Sequence, residues 1–312
     1  MNKDLRGKTI FITGACSFVG QSLIAYLSKE KLFNQVIACC RNKNKFKKYG
    51  SEKITVVSAD LTHPASYETF FKEFRPDFVI HLAAVARFHQ GEENPELTLK
   101  TNFLGSVALL ALAEKYDVKK FLNVSSNLAR NPKGITGYSK YLTEVYSKRR
   151  NFTTKVISLR LPNVIDSPGA VTLVFKRQIE AGEPITITDK RMSRKFITPG
   201  QAAAQLLFAL SEGENKEIFI NNKPSTPIVE LAREMIEKSK KNISIRFIGA
   251  RPGEKMEEED YPAGAIKTTG HPELFILTEE QHSAPAVEAV LKNMSPGVSE
   301  MMMQEINKVL DL

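Results

Sequence analysis

Two serines, Ser125 and Ser126, and a lysine, Lys140, mark the stretch of this sequence where side chains could act on a ligand. The residues before the pair, Lys120 to Val124, read as a short apolar strand, and after a loop a helix begins that carries Lys140 on its first turns. Hydroxyls at the carboxyl end of a strand and an ammonium on the following helix are the layout of a redox active site.

Such a site needs an electron carrier, and an earlier stretch could hold one. Thr9 to Thr13 reads as a buried strand, Gly14-Ala15-Cys16-Ser17-Phe18-Val19-Gly20 as a turn of mostly small residues, and Gln21 to Lys31 as an amphipathic helix. Backbone amides at a helix N-terminus must come close to a pyrophosphate, and a large side chain would block them. Gly14, Ser17 and Gly20, with Phe18 and Val19 between, have the spacing for that role; a purely structural turn is the other reading. The next strand, Gln35 to Cys40, ends in Arg41, where an acidic residue would normally bind a ribose 2′-hydroxyl. Arg41, backed by Lys43 and Lys45, instead suits a 2′-phosphate. NADP is therefore preferred to NAD, against the alternative of a plain surface arginine.

The elements that position these residues follow in alternation. Strands are expected at Lys53 to Ser58, closed by Asp60-Leu61, at Phe78 to Leu82, flowing into Ala83-Ala84, and at Lys120 to Val124 and Val156 to Leu161. Helices are expected at Ser66 to Phe74 and from Asn102 through Gly105 to Tyr116. This order predicts an α/β fold of the Rossmann type, a doubly wound parallel sheet with its ligand at the carboxyl ends of the strands. Residues 1–165 would form that domain, with returning segments near 190–225. Residues 166–312 would be mainly a smaller substrate-binding lobe and a C-terminal helix.

The 312 residues, 42% hydrophobic and 25% charged, suit a folded globular chain. A formal net charge of +9 admits nucleic acid, an anionic membrane or a phosphorylated ligand as partner. The densest basic run, Arg41 to Lys48, lies where a nucleotide's phosphates could sit, or forms a solvated face, and lacks interleaved aromatics to stack bases. Nucleic acid is thereby disfavoured. Cys16, Cys39 and Cys40 have no metal-ligand spacing, so no metal site is expected and a disulfide framework is not anticipated. His271 and His282 read as surface or loop histidines, and Met301 to Met303 as packing in a terminal helix. No signal peptide and no run approaching ~18 apolar residues is read, so membrane insertion is not expected and cytoplasm is the default.

With these pieces in view, the sequence resembles the extended short-chain dehydrogenase/reductase family, in its branch of UDP-N-acetylglucosamine 4,6-dehydratases and capsule-type polysaccharide biosynthesis proteins. The resemblance rests on Thr13-Gly14 to Gly20, Asp60-Leu61, His81-Leu82-Ala83-Ala84, Asn94-Pro95, Lys100-Thr101-Asn102, Asn131-Pro132, Gly182 to Asp189, Met192-Ser193-Arg194 and Arg251-Pro252-Gly253-Glu254-Lys255. It implies that Asp60 and Leu61 border the adenine, that Ala83 and Ala84 border the cofactor's middle, and that Asn102 supports the catalytic segment. It also implies that Asn163, Arg194, Arg251 and Glu254 hold the nucleotide diphosphate of a UDP-sugar. Arg194 and Arg251 could fork onto phosphate oxygens, and Glu254 could accept from ribose hydroxyls or form an exposed ion pair with Lys255. The helices Phe103 to Tyr116 and Tyr138 to Arg149 would pair into a four-helix interface, so a homodimer or higher homo-oligomer is expected.

The proton-transfer groups depart from that pattern. In the family a tyrosine four residues before the lysine, on the same helix face, has its ordinary pKa of ~10 lowered by the ammonium. Here Thr136 stands four residues before Lys140, and Tyr138 and Tyr141 lie off that face. The dehydratases' acid and base after the serine pair are replaced by Asn127 and Leu128, which cannot transfer protons. Ser126 and Lys140 remain, with Thr136, as the catalytic candidates. One reading is an NAD(P)-dependent UDP-sugar enzyme of polysaccharide or glycan biosynthesis, acting at carbon 4 as reductase, epimerase or atypical dehydratase. Its protons would come from water, Lys140, Lys133, His89 or the substrate. The other is a catalytically silent homologue that binds NADP and a nucleotide sugar and serves an active paralogue as partner or regulator.

Overall fold

Short runs rich in β-branched residues alternate with helical segments whose apolar side chains fall on one or two faces, and this alternation winds the chain back and forth across a single sheet. The computed structural model describes residues 5–30, 33–47, 49, 51–250, 254–278 and 282–311. In the first half, strands β1 (Thr9–Thr13), β2 (Gln35–Cys40), β3 (Ile54–Ser58), β4 (Phe78–His81), β5 (Lys120–Ser126) and β6 (Lys155–Leu161) alternate with helices. These are α1 (Phe18–Glu30), α2 (Ala65–Phe74), α3 (Phe88–Glu93), α4 (Pro95–Leu99), α5 (Gly105–Lys115) and α6 (Ile135–Arg149). A π-helical turn, Lys100–Leu104, joins α4 to α5.

The second half runs β7 (Asn163–Val164), α7 (Val171–Ala181), β8 (Ile185–Ile187), β9 (Ser193–Arg194), β10 (Phe196–Ile197), α8 (Pro199–Glu212), β11 (Ile218–Asn221) and β12 (Thr226–Pro227). Then come α9 (Ile228–Ser239), β13 (Ile245–Phe247), β14 (Ile266–Thr268), β15 (Leu274–Leu277), α10 (Ala284–Met294) and α11 (Glu300–Leu310).

The large sheet has the order β14-β15-β11-β6-β5-β4-β1-β2-β3. Pairing is parallel from β3 to β11, and β15 and β14 add an antiparallel edge. This is the doubly wound Rossmann-type sheet, with the strand order reversing between β1 and β4, where such folds open a ligand crevice. Strand β5 runs two residues further than expected, so both serines belong to the sheet's carboxyl edge.

Helices α1 and α8 bury Leu23, Ile24, Leu27, Leu206 and Leu210 against one face, and α2 and α5 bury Phe71, Leu109, Leu110 and Ala113 against the other. A smaller lobe closes around Phe175, Ile179, Ile185, Ile187, Met192 and Ile228. Helices α10 and α11 of the same chain pack against α4, α5 and α6, the last two of which were expected to pair with a second copy. Phe103, Tyr138, Tyr141 and Leu142 pack there with Val287, Leu291, Met302 and Ile306.

Two expectations are corrected. The helical run Pro95–Lys115 has the length and composition of a membrane span, where no run of that kind was expected. Half of its most apolar window is buried in the fold, because it packs between the sheet and α6 with its terminal partners and needs apolar residues on both sides. In addition, Cys16 and Cys40 form a disulfide, with Cα atoms 5.6 Å apart. The two cysteines are 24 residues apart in sequence, but β1 and β2 are parallel neighbours, so the turn after one strand lies beside the end of the other. Cys39 is buried as a free thiol, and burial pushes it up to about 12.

Candidate functional site

The glycine turn occupies the crevice between β1 and β4. Gly14 has φ +66°, and a Cβ there would lie 2.7 Å from the Ala83 backbone nitrogen, so only glycine lets the turn approach the end of β4 this closely. A Cβ on Gly20 would run into the Gly14 carbonyl, which fixes the second small position. Ser17 accepts a hydrogen bond from the Gly20 amide at 3.1 Å, closing the turn at the start of α1, whose first residues are Phe18 and Val19. A dinucleotide's pyrophosphate fits this cradle: bare backbone, a helix N-terminus, and Ala83 beside Gly14, with Ala84 next in the chain.

Arg41 is exposed at the end of β2, and Asp60 and Leu61 follow β3. Burial acts to raise the Asp60 carboxyl, but hydrogen bonds from Thr62 and the charge of Arg41 outweigh it and lower its pKa. Leu61 is buried against Gly105. Ala83 donates to Thr13 Oγ1, which bonds His81 Nδ1 at 2.7 Å, and His81 Nε2 bonds Ser106 at 2.8 Å. Burial first, and Lys140 second, push His81 down to about 3, so it is a neutral linker.

Asn102 explains how the chemistry segment is held. Its side chain accepts from the Val85 amide at 2.7 Å and donates to the Val85 carbonyl and to Ser139 Oγ, both at 3.0 Å. The chain leaving β4 is thereby fastened to α6. On α6, Lys140 is buried and donates to the Val124 carbonyl at 2.7 Å. Burial lowers its pKa to about 8, against the opposing pull of Glu144.

Ser126 accepts from the Leu128 amide and caps the short turn Asn127–Ala129. Thr136 is 2% exposed, faces Gly91 of α3, and its hydroxyl oxygen has no hydrogen-bond partner among the described residues. Neither nearby tyrosine replaces the missing phenol: both are buried in the apolar cluster shared with α10 and α11, with Tyr138 raised and Tyr141 pushed up to about 12 by burial. His89 is exposed and pairs with Glu93, and Lys133 lines a narrow cleft at the start of α6.

The residues expected to hold substrate converge on the segment after residue 253. Asn163 donates to Glu258 at 2.9 Å and to the Lys195 carbonyl. Arg194 donates to the carbonyls of Ser193, Lys255 and Met256, and burial lowers its pKa. As found, Arg194 staples backbone, and a phosphate would have to replace those carbonyls. Glu254 is half-buried close enough to Arg194 to act on its charge. Lys255 is not its exposed ion-pair partner, because the Lys255 amine is turned into the fold on backbone carbonyls. Arg251 lies outside the described residues.

One cluster escaped the sequence reading. Glu144, one turn beyond Lys140, is fully buried and takes Arg160 through both oxygens, at 3.0 and 2.6 Å, Ser125 at 2.5 Å and His282 at 3.1 Å. Arg160 continues to the Tyr261 hydroxyl at 2.8 Å. His282, expected at the surface, is instead 5% exposed and stacked on Tyr141, because the start of α10 docks onto α6. A carboxylate at i+4 from Lys140 was the only local signal.

The family model described as polysaccharide biosynthesis protein matches residues 10–279. The chain belongs to this family. Within it, the capsular polysaccharide biosynthesis protein CapD of Staphylococcus aureus is 32% identical over 276 residues, 83% of this chain and 46% of CapD, so the chain spans about half of that relative. A UDP-glucose 4-epimerase of Rickettsia canadensis is 28% identical over 261 residues, 80% of this chain and 76% of the epimerase. Among solved structures, Pen from Bacillus thuringiensis superposes with a TM-score of 0.79 at 27% identity, covering 89% of this chain and 90% of that one.

Proposed function

We propose that this family member is an NAD(P)-dependent enzyme that modifies a UDP-sugar at carbon 4 during polysaccharide biosynthesis, in the cytoplasm, with NADP preferred. The observation that carries the reading is the placement of buried Lys140, bonded to the Val124 carbonyl beside the serine pair, on the strand next to the Gly14–Ala83 crevice. The names of the relatives, a capsular polysaccharide biosynthesis protein and a UDP-glucose 4-epimerase, support it.

A nicotinamide bound there would take up and return hydride. The chain's own residues would do the rest. Gly14, Ser17 and Gly20 would admit the pyrophosphate, and Arg41 would fork onto a 2′-phosphate. Asn102 would hold Ala83 to Val85 in register with α6, Lys140 and Ser126 would orient ribose and sugar hydroxyls, and Asn163, Arg194 and Glu254 would bind the nucleotide.

The test is to incubate the protein with NADP⁺ or NADPH and a panel of UDP-sugars and 4-keto UDP-sugars, following absorbance at the nicotinamide band and products by mass spectrometry. Turnover that falls ~10²-fold or more in Lys140→Ala is the expected result. Binding of both ligands without conversion would instead identify a silent binding protein. Arg41→Ala should weaken NADP(H) more than NAD(H), by ~10-fold or more, since a charged hydrogen bond is worth ~1.5–3 kcal/mol.

A further inference from the structure

The segment Glu254–Tyr261 crosses the carboxyl ends of β5 and β6 and brings a second set of ionisable groups to the serine-pair turn. The Lys255 amine reaches the Asn127 carbonyl at 3.4 Å and the Arg130 carbonyl. Three residues on, Glu258 accepts from Asn127 Nδ2 and from Asn163 Nδ2, each at 2.9 Å. Lys255 also lines the cleft at the start of α6, with Phe88, Leu128, Lys133, Gly134 and Gly137. An amine and a carboxylate thus arrive from across the fold beside the two side chains, Asn127 and Leu128, that cannot transfer protons.

We infer that Lys255 is the proton-transfer residue of this site, with Glu258 as a positioning residue that holds Asn127 and Asn163 on either side of it. The inference rests on the UDP-sugar reading above and specifies how that site moves protons. Its chemistry is balanced without an outside reagent. On a 4-keto sugar the neutral amine takes the proton from carbon 5. The C–H electron pair passes to the carbonyl as an enolate, and the amine becomes an ammonium. The ammonium gives its proton either back to carbon 5 or to the carbon 6 hydroxyl, which departs as water while the enolate pair forms the new double bond. Lys255 ends as it began.

The surroundings suit an amine that changes protonation state near neutrality. Glu258 and Glu259 face it from its own segment, Arg130 and Lys133 from the loop before α6, and Arg160 from β6. Burial lowers its pKa to about 8, the two carboxylates oppose that, and Arg130 and Arg160 add to it.

The alternative role for Lys255 is a latch that merely ties the segment to the Asn127–Arg130 turn, and two substitutions separate the roles. Lys255→Arg keeps a cation that can donate to both carbonyls but cannot release a proton, whereas Lys255→Met removes both functions. Each protein would be incubated in D₂O with UDP-4-keto-6-deoxy-N-acetylglucosamine, reading deuterium uptake at carbon 5 by mass spectrometry, with UDP affinity by calorimetry and thermal melts as controls. The expected result is exchange by the unsubstituted protein that rises with pH about a midpoint near 8. Both variants should be ~10²-fold slower or worse with UDP affinity within ~3-fold. Full exchange in Lys255→Arg would make the residue a latch and overturn the inference, as would full exchange in Lys255→Met or none in the unsubstituted protein. Lysine-dependent exchange without any nicotinamide-linked turnover would sink the carbon 4 redox reading while leaving Lys255 as the proton carrier.

Discussion

Lys140 and Glu144 lie one helical turn apart on α6, both buried, and their surroundings settle their charges differently. Among the described residues Lys140 has a single backbone carbonyl as hydrogen-bond partner, so burial wins and its pKa falls to about 8. Burial would raise Glu144, but Arg160 and the His282 hydrogen bond outweigh it and hold the carboxyl well below the usual carboxylate range. Glu144→Gln should therefore cost ~3–5 kcal/mol in denaturant unfolding, because it leaves the Arg160 guanidinium buried without its counter-charge. The pH dependence has two limbs. His81 is held neutral to about 3, against ~6.5 in an unfolded chain, so the unfolded state binds the extra proton and stability falls as pH drops from ~6.5 towards 3. Glu144 is depressed, so its contribution is present above ~4.3 and is lost as pH falls below that. Melts of the Gln variant from pH 8 to 3 should keep the first limb and weaken the second, to which Asp60, Asp77 and Glu114 also contribute because their carboxyls are lowered in the fold. At this scale the glycine turn, Asn102 and Lys140 were legible because each signal sits in a short motif. The Glu144 network was not: its partners Arg160 and His282 lie 16 and 138 residues away, and nothing local ties a histidine in an apparent loop to a carboxylate on another helix.

Among the elements, α6 has the most demanding position. Its inner side packs on β5, its start is held by α3 through Glu92 accepting from the Ile135 amide at 2.7 Å, and its outer side lies under α10 and α11. The sequence showed an amphipathic terminal helix through its apolar spacing, but amphipathicity says only that a face is buried and not against what. Ile306, fully buried in that interface, is a direct probe. Ile306→Asp should lower stability by several kcal/mol, about the ~2–3 of lost apolar burial plus the cost of a desolvated carboxyl. Removing residues 282–312 should uncover Phe103, Leu142 and Val145 together, and light scattering coupled to size exclusion should then show a larger apparent mass per chain than for the full chain. An unchanged assembly state after truncation would mean that this face tolerates water. The alternation of strands and helices made the sheet legible, whereas the antiparallel edge β14–β15 was not. Its short strands are set by their pairing with β11 rather than by any pattern of their own.

Over the whole molecule, the Cys16–Cys40 bond is the only covalent tie found among the described residues. It closes a loop of sequence separation 24, for which chain entropy predicts ~3 kcal/mol of stabilisation. Adding dithiothreitol should shift the urea midpoint down correspondingly, and Cys40→Ser should abolish the difference. Buried Cys39, its thiol pushed up to about 12, should not exchange into the bond. A different bond between chain regions bears on how the molecule comes together in time. The helix that carries Thr136 and Lys140 reaches its final surroundings through contacts spanning 138 residues to His282, 159 from Arg150 to Val309, and, through neighbouring α4, 203 from Glu96 to Ser299. Contacts at such separations form slowly, after the local strand–helix pairings that build the sheet. In refolding, regular secondary structure should therefore return before the ability to bind a nucleotide, and the interval between the two is set by the docking of α10 and α11 onto α6.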